Sequence, residues 1–271
     1  MGDIGREGEA AEAVDDPVGV LAGALAGGAV EVVDLTQPLS EATPVIELPP
    51  HLVPIPPLRV HAGPRYGDLP DAWNWLELAE HIGTHVDAPI HWFTGRDGLD
   101  MASVPAGRLV GPAVVLDRRA EVAADPEDLL SVEDVLAWQR EHGPLPEGGW
   151  LLVRTDWDRR ADDRELFLNG GVTPGFDAEC ARWLAHESPL SGVGVQTVGI
   201  DAGRAHGFEP PFPMHYHLLG AGKLGLTQLA ALDRLPVRGA LLVVAPLRLV
   251  GGTGSPARVL AFVPGGDGAS A

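Results

Sequence analysis

The residues best suited to chemistry lie close together between positions 81 and 91. Within these eleven residues the chain places His81, His85, Asp87 and His91, all at odd positions. The even positions from 82 to 92 hold apolar, small or β-branched residues. Alternate side chains of an extended chain point to the same face. The pattern therefore predicts four polar groups on one face and a second face that enters a core, which indicates a functional site.

The spacing of these residues limits the path of the main chain. In a straight strand, at about 3.3 Å per residue, His81 and His85 would lie roughly 13 Å apart. Two imidazoles that each bind one ion at about 2 Å cannot span that distance. His85 and Asp87, about 7 Å apart, can reach a common ion. Gly83 permits the chain to tighten because glycine adopts positive φ angles at no steric cost. We therefore predict a compact turn at Gly83-Thr84 followed by extended chain.

These side chains supply the donor atoms of a catalytic metal site. Imidazole nitrogens and a carboxylate suit Zn²⁺ or Mn²⁺, and three protein ligands leave positions open for water and substrate. A divalent ion can lower the pKa of bound water from about 15.7 to about 7 and can polarise a carbonyl group. We predict that His81, His85 and Asp87 bind one such ion. His91 could then take a proton from the nucleophile and return it to a leaving nitrogen.

Composition narrows the classes of partner. The 271 residues carry 19 basic and 38 acidic side chains, a net charge of −19. This charge repels phosphate backbones and anionic lipid, so we predict neither nucleic-acid nor membrane partners.

Cys180 is the single cysteine, which rules out an intrachain disulfide and suits a reducing compartment. The acidic N-terminus does not resemble a secretory signal, and the apolar stretch 18–30 is too short to span a bilayer, so the sequence predicts a cytoplasmic protein.

The elements that must position the site follow from local patterns. Short apolar runs bounded by Gly, Pro or Asp predict strands, and capping residues predict helices. The predicted strands are 29–35, 73–78, 113–117, 150–155, 193–201, 240–245 and 258–263, and the predicted helices are 17–27, 131–142 and 177–186. The proline-dense stretch 38–70 allows only loop or extended edge.

Gly251-Gly252-Thr253-Gly254 lacks the Gly-Lys-Ser/Thr ending of a phosphate loop, so we interpret it as a turn between strands at 247–250 and 258–263. The chain shows no internal repeat and no interdomain linker. We therefore predict one α/β domain, β-rich with a mixed sheet, over residues 17–264. Residues 1–16 are predicted to be a disordered segment and residues 265–271 a flexible tail.

The pattern His-x-Gly-Thr-His-x-Asp-x-Pro-x-His, matched at every defined position by residues 81–91, resembles the hallmark of the cyclase family of metal-dependent hydrolases. That family includes bacterial kynurenine formamidases and isatin hydrolases, and the resemblance runs from residues 34–36 to the last strand. It implies hydrolysis of an amide-type C–N bond, often in an aromatic substrate. It also implies His81, His85 and Asp87 as metal ligands and His91 as the catalytic acid/base. The implied fold is a small barrel-like mixed sheet with outer helices, assembled as a homodimer or homotetramer.

The residues around the motif are more similar to the isatin hydrolases than to the formamidases. They are the flank 73–75, the segment 91–95 and the run 199–203. Two-metal kynurenine formamidases add a later histidine and, twelve residues on, a glutamate. His215 fits the histidine, but the second position is Thr227, followed by Gln228. Threonine is a poor cation ligand, so we predict one metal, with His215 or Gln228 contacting substrate or water.

Two tryptophans are further candidates for the substrate site. Trp73 and Trp75 share one face of a predicted strand and could line an aromatic pocket. They could equally pack in the core or at a subunit interface.

The leading hypothesis is a metal-dependent amidohydrolase that uses metal-activated water to open an isatin-like cyclic amide or to cleave an aryl formamide. Two alternatives stay open. One is a metal-assisted cyclase or dehydratase of secondary metabolism, which would not incorporate labelled water. The other is a non-catalytic metal- or ligand-binding protein. The ligand set accepts both Mn²⁺ and Zn²⁺, and the loops that shape the pocket leave the substrate open.

Overall fold

A computed structural model of the chain describes residues 16–48, 53–67 and 70–266. It divides the chain into a larger unit, residues 32–263, and a small unit made of the residues before and after it. In the small unit, the predicted N-terminal helix is confirmed as α1 (Pro17–Ala26), where Asp16 accepts the N–H of Gly19. Residues 1–15 of the predicted disordered segment and residues 267–271 of the predicted tail lie outside the described residues.

Strands and short helices alternate along the described chain. The strands are β1 (Val30–Asp34), β2 (Arg59–Ala62), β3 (Asn74–Glu77), β4 (His85–Asp87), β5 (Val110–Asp117), β6 (Leu129–Leu130), β7 (Trp150–Arg154), β8 (Gly175–Phe176), β9 (Gly192–Val195), β10 (Leu224–Thr227), β11 (Ala240–Pro246) and β12 (Gly254–Pro264). The helices after α1 are α2 (Arg119–Ala124), α3 (Val132–His142), α4 (Arg164–Leu168) and α5 (Ala178–His186). None of the described helices is long and apolar enough to cross a bilayer.

Seven strands of the described residues close into a barrel. Their hydrogen-bonded order is β12, β11, β5, β7, β9, β10, β4, and β4 pairs again with β12. β12 can pair with both strands because it is eleven residues long. Its first residues pair with β4 and its later residues pair with β11. β5, β7, β9 and β10 run parallel, whereas the other pairings are antiparallel. The predicted mixed, barrel-like sheet with outer helices is confirmed.

The parallel strands are buried on both faces, which explains their nearly continuous apolar sequences. In β5 and β7, residues 113, 115, 150 and 152 belong to a cluster inside the barrel, which also takes side chains from β4, β10, β11 and β12. Residues 114, 116, 151 and 153 alternate with them and pack against α3 and α5. On β9, Gly194 leaves room for interior side chains, because a Cβ there would lie 2.7 Å from Leu152 and from Leu229.

Helices α3 and α5 confirm the predicted helices at 131–142 and 177–186. Ser131 and Asp134 form a complete capping box at the start of α3, and Gly143, with φ of 90°, ends it. Asp177 caps α5 by accepting the N–H of Cys180. Both helices cover the outer face of the barrel.

Two predicted strands were wrong: one is shorter than predicted and the other is absent. The strand predicted at 193–201 ends at Val195, because the side-chain carbonyl of Gln196 accepts the main-chain N–H groups of Thr155 and Asp156. Residues 196–201 therefore form a loop. Residues 247–250 are also loop rather than strand, while the turn predicted at 251–254 is present, with Gly251 at φ of 71°.

Candidate metal centre

The 81–91 stretch folds as its spacing predicts, with a turn followed by a short strand. Gly83 adopts φ of 59°, residues 81–84 bend, and His85 begins β4. The Thr84 hydroxyl holds the turn, since it donates to Gln228 O at 2.6 Å and accepts the N–H of Gln37 at 2.9 Å. This network ties the turn to the end of β10. The predicted turn at Gly83-Thr84 is confirmed.

The turn brings three predicted ligands together. One nitrogen of His81, one nitrogen of His85 and one oxygen of Asp87 all lie within 4.8 Å of one another. His81 Nδ1 is 2.8 Å and His85 Nε2 is 3.4 Å from Asp87 Oδ1. Among the described residues, this is the only group of three or more His, Cys, Asp or Glu side chains that could hold a metal ion.

The donor atoms fit a divalent cation. His85 Nδ1 lies 2.8 Å from Gly83 O, which can only accept, so this nitrogen carries the proton and Nε2 keeps its lone pair towards Asp87. Burial alone would raise the pKa of Asp87, but the imidazoles of His81 and His85, both close to Asp87 Oδ1, hold it well below its usual range. Asp87 is therefore an ionised carboxylate, 2% exposed, beside imidazole nitrogens. Zn²⁺ and Mn²⁺ both accept this combination.

His91 lies beside this group, at the end of the short 3₁₀ helix Pro89–His91. Its ring stacks on His81 with centroids 3.9 Å apart. Burial lowers the pKa of His91 to about 3, assisted by the neighbouring charges of His81, His215 and His85 and opposed by Asp87. His91 is therefore neutral at pH 7 and able to accept a proton.

His215 also lies near the site, on a different segment of the chain from the 81–91 motif. It belongs to a π-helical segment, Met214–Leu219. The buried side chains of this segment join the apolar cluster between the barrel and helices α3 and α5. Asp201 accepts hydrogen bonds from the main-chain N–H groups of Met214 and His215 and lies 2.5 Å from His215 Nδ1. Burial opposes the charged form, but Asp201 dominates and raises the pKa of His215. The ring centroid of His215 is 5.3 Å from that of His91.

Thr227 and Gln228, twelve and thirteen residues after His215, lie beside the 81–91 motif. Thr227 pairs with His85 across β10 and β4, and its hydroxyl oxygen is 2.9 Å from His85 Nδ1. Thr227 therefore places a neutral hydroxyl where the two-metal formamidases have a glutamate. Gln228 is 1% exposed with φ of 53°, and its Oε1 accepts no hydrogen bond from the described residues. A buried, unpaired carbonyl is costly to leave unsatisfied, which makes Gln228 Oε1 a candidate acceptor for water or substrate.

The tryptophans at 73 and 75 occupy a different setting. They lie at the β2–β3 hairpin, where each is 53% exposed, and Trp75 stacks on His61 at 3.5 Å. Their assignment to the substrate site stays a prediction. Trp92 does lie at the site, with its ring 4.9 Å from His215 and 5.6 Å from Phe212.

Sequence reasoning missed the roles of four residues around the candidate site. Asp201 orients His215 from 14 positions away, and Thr253 contacts His81 from 172 positions away. Because the partners are far apart in the chain, no local sequence pattern predicts either contact. Trp92 could have been found, because it directly follows the last histidine of the motif.

Gly254 is the fourth of these residues, and it makes room for His81. A Cβ at Gly254 would lie 2.5 Å from His81 Cε1 and 2.7 Å from Val86 O. Gly254→Ala is expected to push the imidazole away and to weaken metal binding about 10- to 100-fold, as changes around metal ligands commonly do. Gly107→Ala, where no atom lies within 4 Å of the new Cβ, is the matched control. Equal metal affinity in both variants, measured by titration with Co²⁺, would contradict this role.

Comparisons with known proteins agree with this geometry. The model of a family described as "putative cyclase" matches residues 33–202. An isatin hydrolase from Roseibium aggregatum is 45% identical over 249 residues, covering 89% of this chain and 94% of the relative. A kynurenine formamidase from Salinibacter ruber is 28% identical over 217 residues, covering 72% and 88% respectively.

Among solved structures, an isatin hydrolase bound to the product analogue thioisatinate superposes with a TM-score of 0.88 at 43% identity. The match covers 91% of this chain and 97% of that one. The greater similarity to isatin hydrolases, expected from the residues flanking the motif, is confirmed. The barrel, the motif and the extent of these matches lead to one conclusion: the chain belongs to the putative cyclase family of metal-dependent hydrolases.

Proposed function

We propose that this protein is a metal-dependent hydrolase that opens the cyclic amide of isatin or of a closely related aryl lactam. The observation that carries the proposal is the convergence of His81, His85 and Asp87 within 4.8 Å, with the neutral ring of His91 stacked on His81. The similarity to an isatin hydrolase over most of both chains indicates the substrate class.

In this proposal, His81 Nδ1, His85 Nε2 and a carboxylate oxygen of Asp87 would hold one Mn²⁺ or Zn²⁺ ion. A divalent ion at this position would lower the pKa of water and polarise the amide carbonyl. Thr227 supplies a neutral hydroxyl where a two-metal site needs an anion, which supports a single ion.

His91 is the residue proposed to move the proton. In the reaction, the oxygen of water forms a bond to the amide carbon and the C–N bond breaks. His91 accepts a proton from the water and delivers it to the departing nitrogen, which becomes an aromatic amine. The acid formed from the carbonyl releases its own proton to solvent, so each proton is accounted for. Burial keeps the pKa of His91 low, so at neutral pH the ring is unprotonated and a ring nitrogen is free to take the proton.

His215 and the surrounding rings are proposed to bind the substrate. Asp201 raises the pKa of His215, which favours a protonated ring that donates a charge-assisted hydrogen bond to a substrate carbonyl or to the carboxylate of the product. Trp92 places an aromatic ring beside His215, and Phe212 packs against Trp92, which suits a planar bicyclic substrate. Gln228 Oε1 remains available to accept from an N–H group.

We also propose a cytoplasmic homodimer or homotetramer. The single cysteine suits a reducing compartment. The exposed Trp73 and Trp75 on the β2–β3 hairpin support an oligomer, because large exposed aromatic side chains are typical of subunit contacts.

The proposal predicts that Mn²⁺- or Zn²⁺-loaded protein converts isatin to isatinate in H₂¹⁸O and incorporates one labelled oxygen into the new carboxylate. Mass spectrometry of the product measures this directly, with N-formylkynurenine as the comparison substrate. Turnover without label would instead indicate a cyclase or dehydratase. Loaded protein that leaves isatin and a wider lactam and formamide panel unchanged would contradict an enzymatic role.

A further inference from the structure

Thr253 is hydrogen-bonded to two polar side chains at once. Its hydroxyl oxygen lies 2.6 Å from Glu80 Oε2 and 2.8 Å from His81 Nε2. The same carboxylate oxygen also accepts the main-chain N–H of Thr253 at 2.9 Å. An ionised carboxylate can only accept, and a hydroxyl has one proton to donate. The Thr253 O–H therefore donates to Glu80, and its oxygen accepts from His81 Nε2–H.

From this geometry we infer that Glu80 and Thr253 hold His81 as the tautomer protonated at Nε2, so that His81 binds the metal through Nδ1. The inference rests on the metal site of the proposed function and assigns these two residues a positioning role. Metal-bound histidines commonly donate their second N–H to a protein acceptor, which sets both the tautomer and the ring orientation.

The consequence at the metal site is specific. His81 Nδ1, without a proton, faces Asp87 Oδ1 at 2.8 Å. Two lone pairs at that distance repel each other unless a cation lies beside both atoms. His85 has the opposite arrangement, because its Nδ1–H donates to Gly83 O and its Nε2 faces Asp87. The two imidazoles therefore present different nitrogens, Nδ1 of His81 and Nε2 of His85, to the same ion.

The loop that carries Thr253 is fastened in place. Asp100 accepts the N–H of Gly251 at 2.6 Å, and Gly252 O accepts the N–H of Met101 at 2.9 Å. Thr253 O accepts the N–H of Ala88, the residue directly after Asp87, at 2.9 Å. These bonds tie the loop to the motif itself, so the hydroxyl is held in one position relative to His81.

The test compares metal binding in full-length variants by absorption titration with Co²⁺. Thr253→Val keeps the side-chain shape but removes the acceptor, and a 10- to 100-fold weaker affinity is expected. Thr253→Ser restores the hydroxyl and should return most of the affinity. Thr36→Val is the matched control, because Thr36 also hydrogen-bonds β12, at Val259, without contacting a metal donor. Its affinity should match that of the wild type.

A second measurement needs no variant. In Zn²⁺-loaded wild-type protein labelled with ¹⁵N-histidine, NMR should show His81 protonated at Nε2 and metal-bound at Nδ1, with His85 reversed. A His81 bound through Nε2, or a Thr253→Val affinity equal to that of the control, would overturn the inference.

These outcomes are separable from those of the proposed function. Wild-type protein that hydrolyses isatin with His81 bound through Nε2 refutes the tautomer inference alone. Protein that shows the expected tautomers but leaves isatin intact supports the inference and refutes the function.

Discussion

Asp87→Asn is expected to abolish both stoichiometric metal binding and the hydrolysis of isatin, with kcat/KM falling about 10³-fold or more. Asp87 is the one carboxylate in the donor set, and its pKa lies well below the usual range, so it supplies full negative charge at neutral pH. The asparagine amide has nearly the same shape but no charge. Its nitrogen could also donate to His81 Nδ1 and occupy the lone pair that the ion needs.

Elemental analysis of protein purified without chelator measures the first effect, and initial rates with isatin measure the second. Asp177→Asn is the matched control, because Asp177 caps α5 and asparagine caps helices equally well. The control should keep wild-type metal content and activity. An Asp87→Asn protein that retains one tightly bound ion would exclude Asp87 as a ligand.

His91→Gln is expected to lower kcat by about 10²- to 10⁴-fold while metal content stays at the wild-type level. Glutamine fills similar volume beside His81 but cannot exchange a proton near neutral pH. The loss should fall on kcat rather than KM, since the proposed proton transfer belongs to the chemical step. This separation distinguishes His91 from the ligands, whose replacement should remove the ion itself.

The pH profile gives a second check on His91. Because burial lowers its pKa to about 3, the ring stays neutral from about pH 5 upward and loses its proton-accepting form only as the pH falls towards 3. If the pH profile of kcat shows an acidic limb near pH 6.5 that disappears in His91→Gln, the low pKa assigned to His91 is contradicted. His142→Gln, at the end of α3, is the control and should leave kcat unchanged.

Local sequence signals predicted much of the framework. Apolar runs marked β5, β7 and β11, and the capping residues Ser131 and Asp177 marked α3 and α5. These predictions held because strand alternation and helix caps depend on neighbours in the chain. The strand predicted to run on to residue 201 failed because the Gln196 side chain bonds another segment, a competition that no local pattern records.

By itself the sequence determined the candidate ligand set and the turn that gathers it, since the steric freedom of Gly83 and the parity of the histidines are properties of eleven consecutive residues. Only the tertiary structure decided how each side chain is held. Barrel closure, through the pairing of β4 with β12, brings Thr253 to His81, and the loop after β9 brings Asp201 to His215. Tautomer and charge depend on such partners, and strand register across a closed barrel is settled by the packing of the whole sheet.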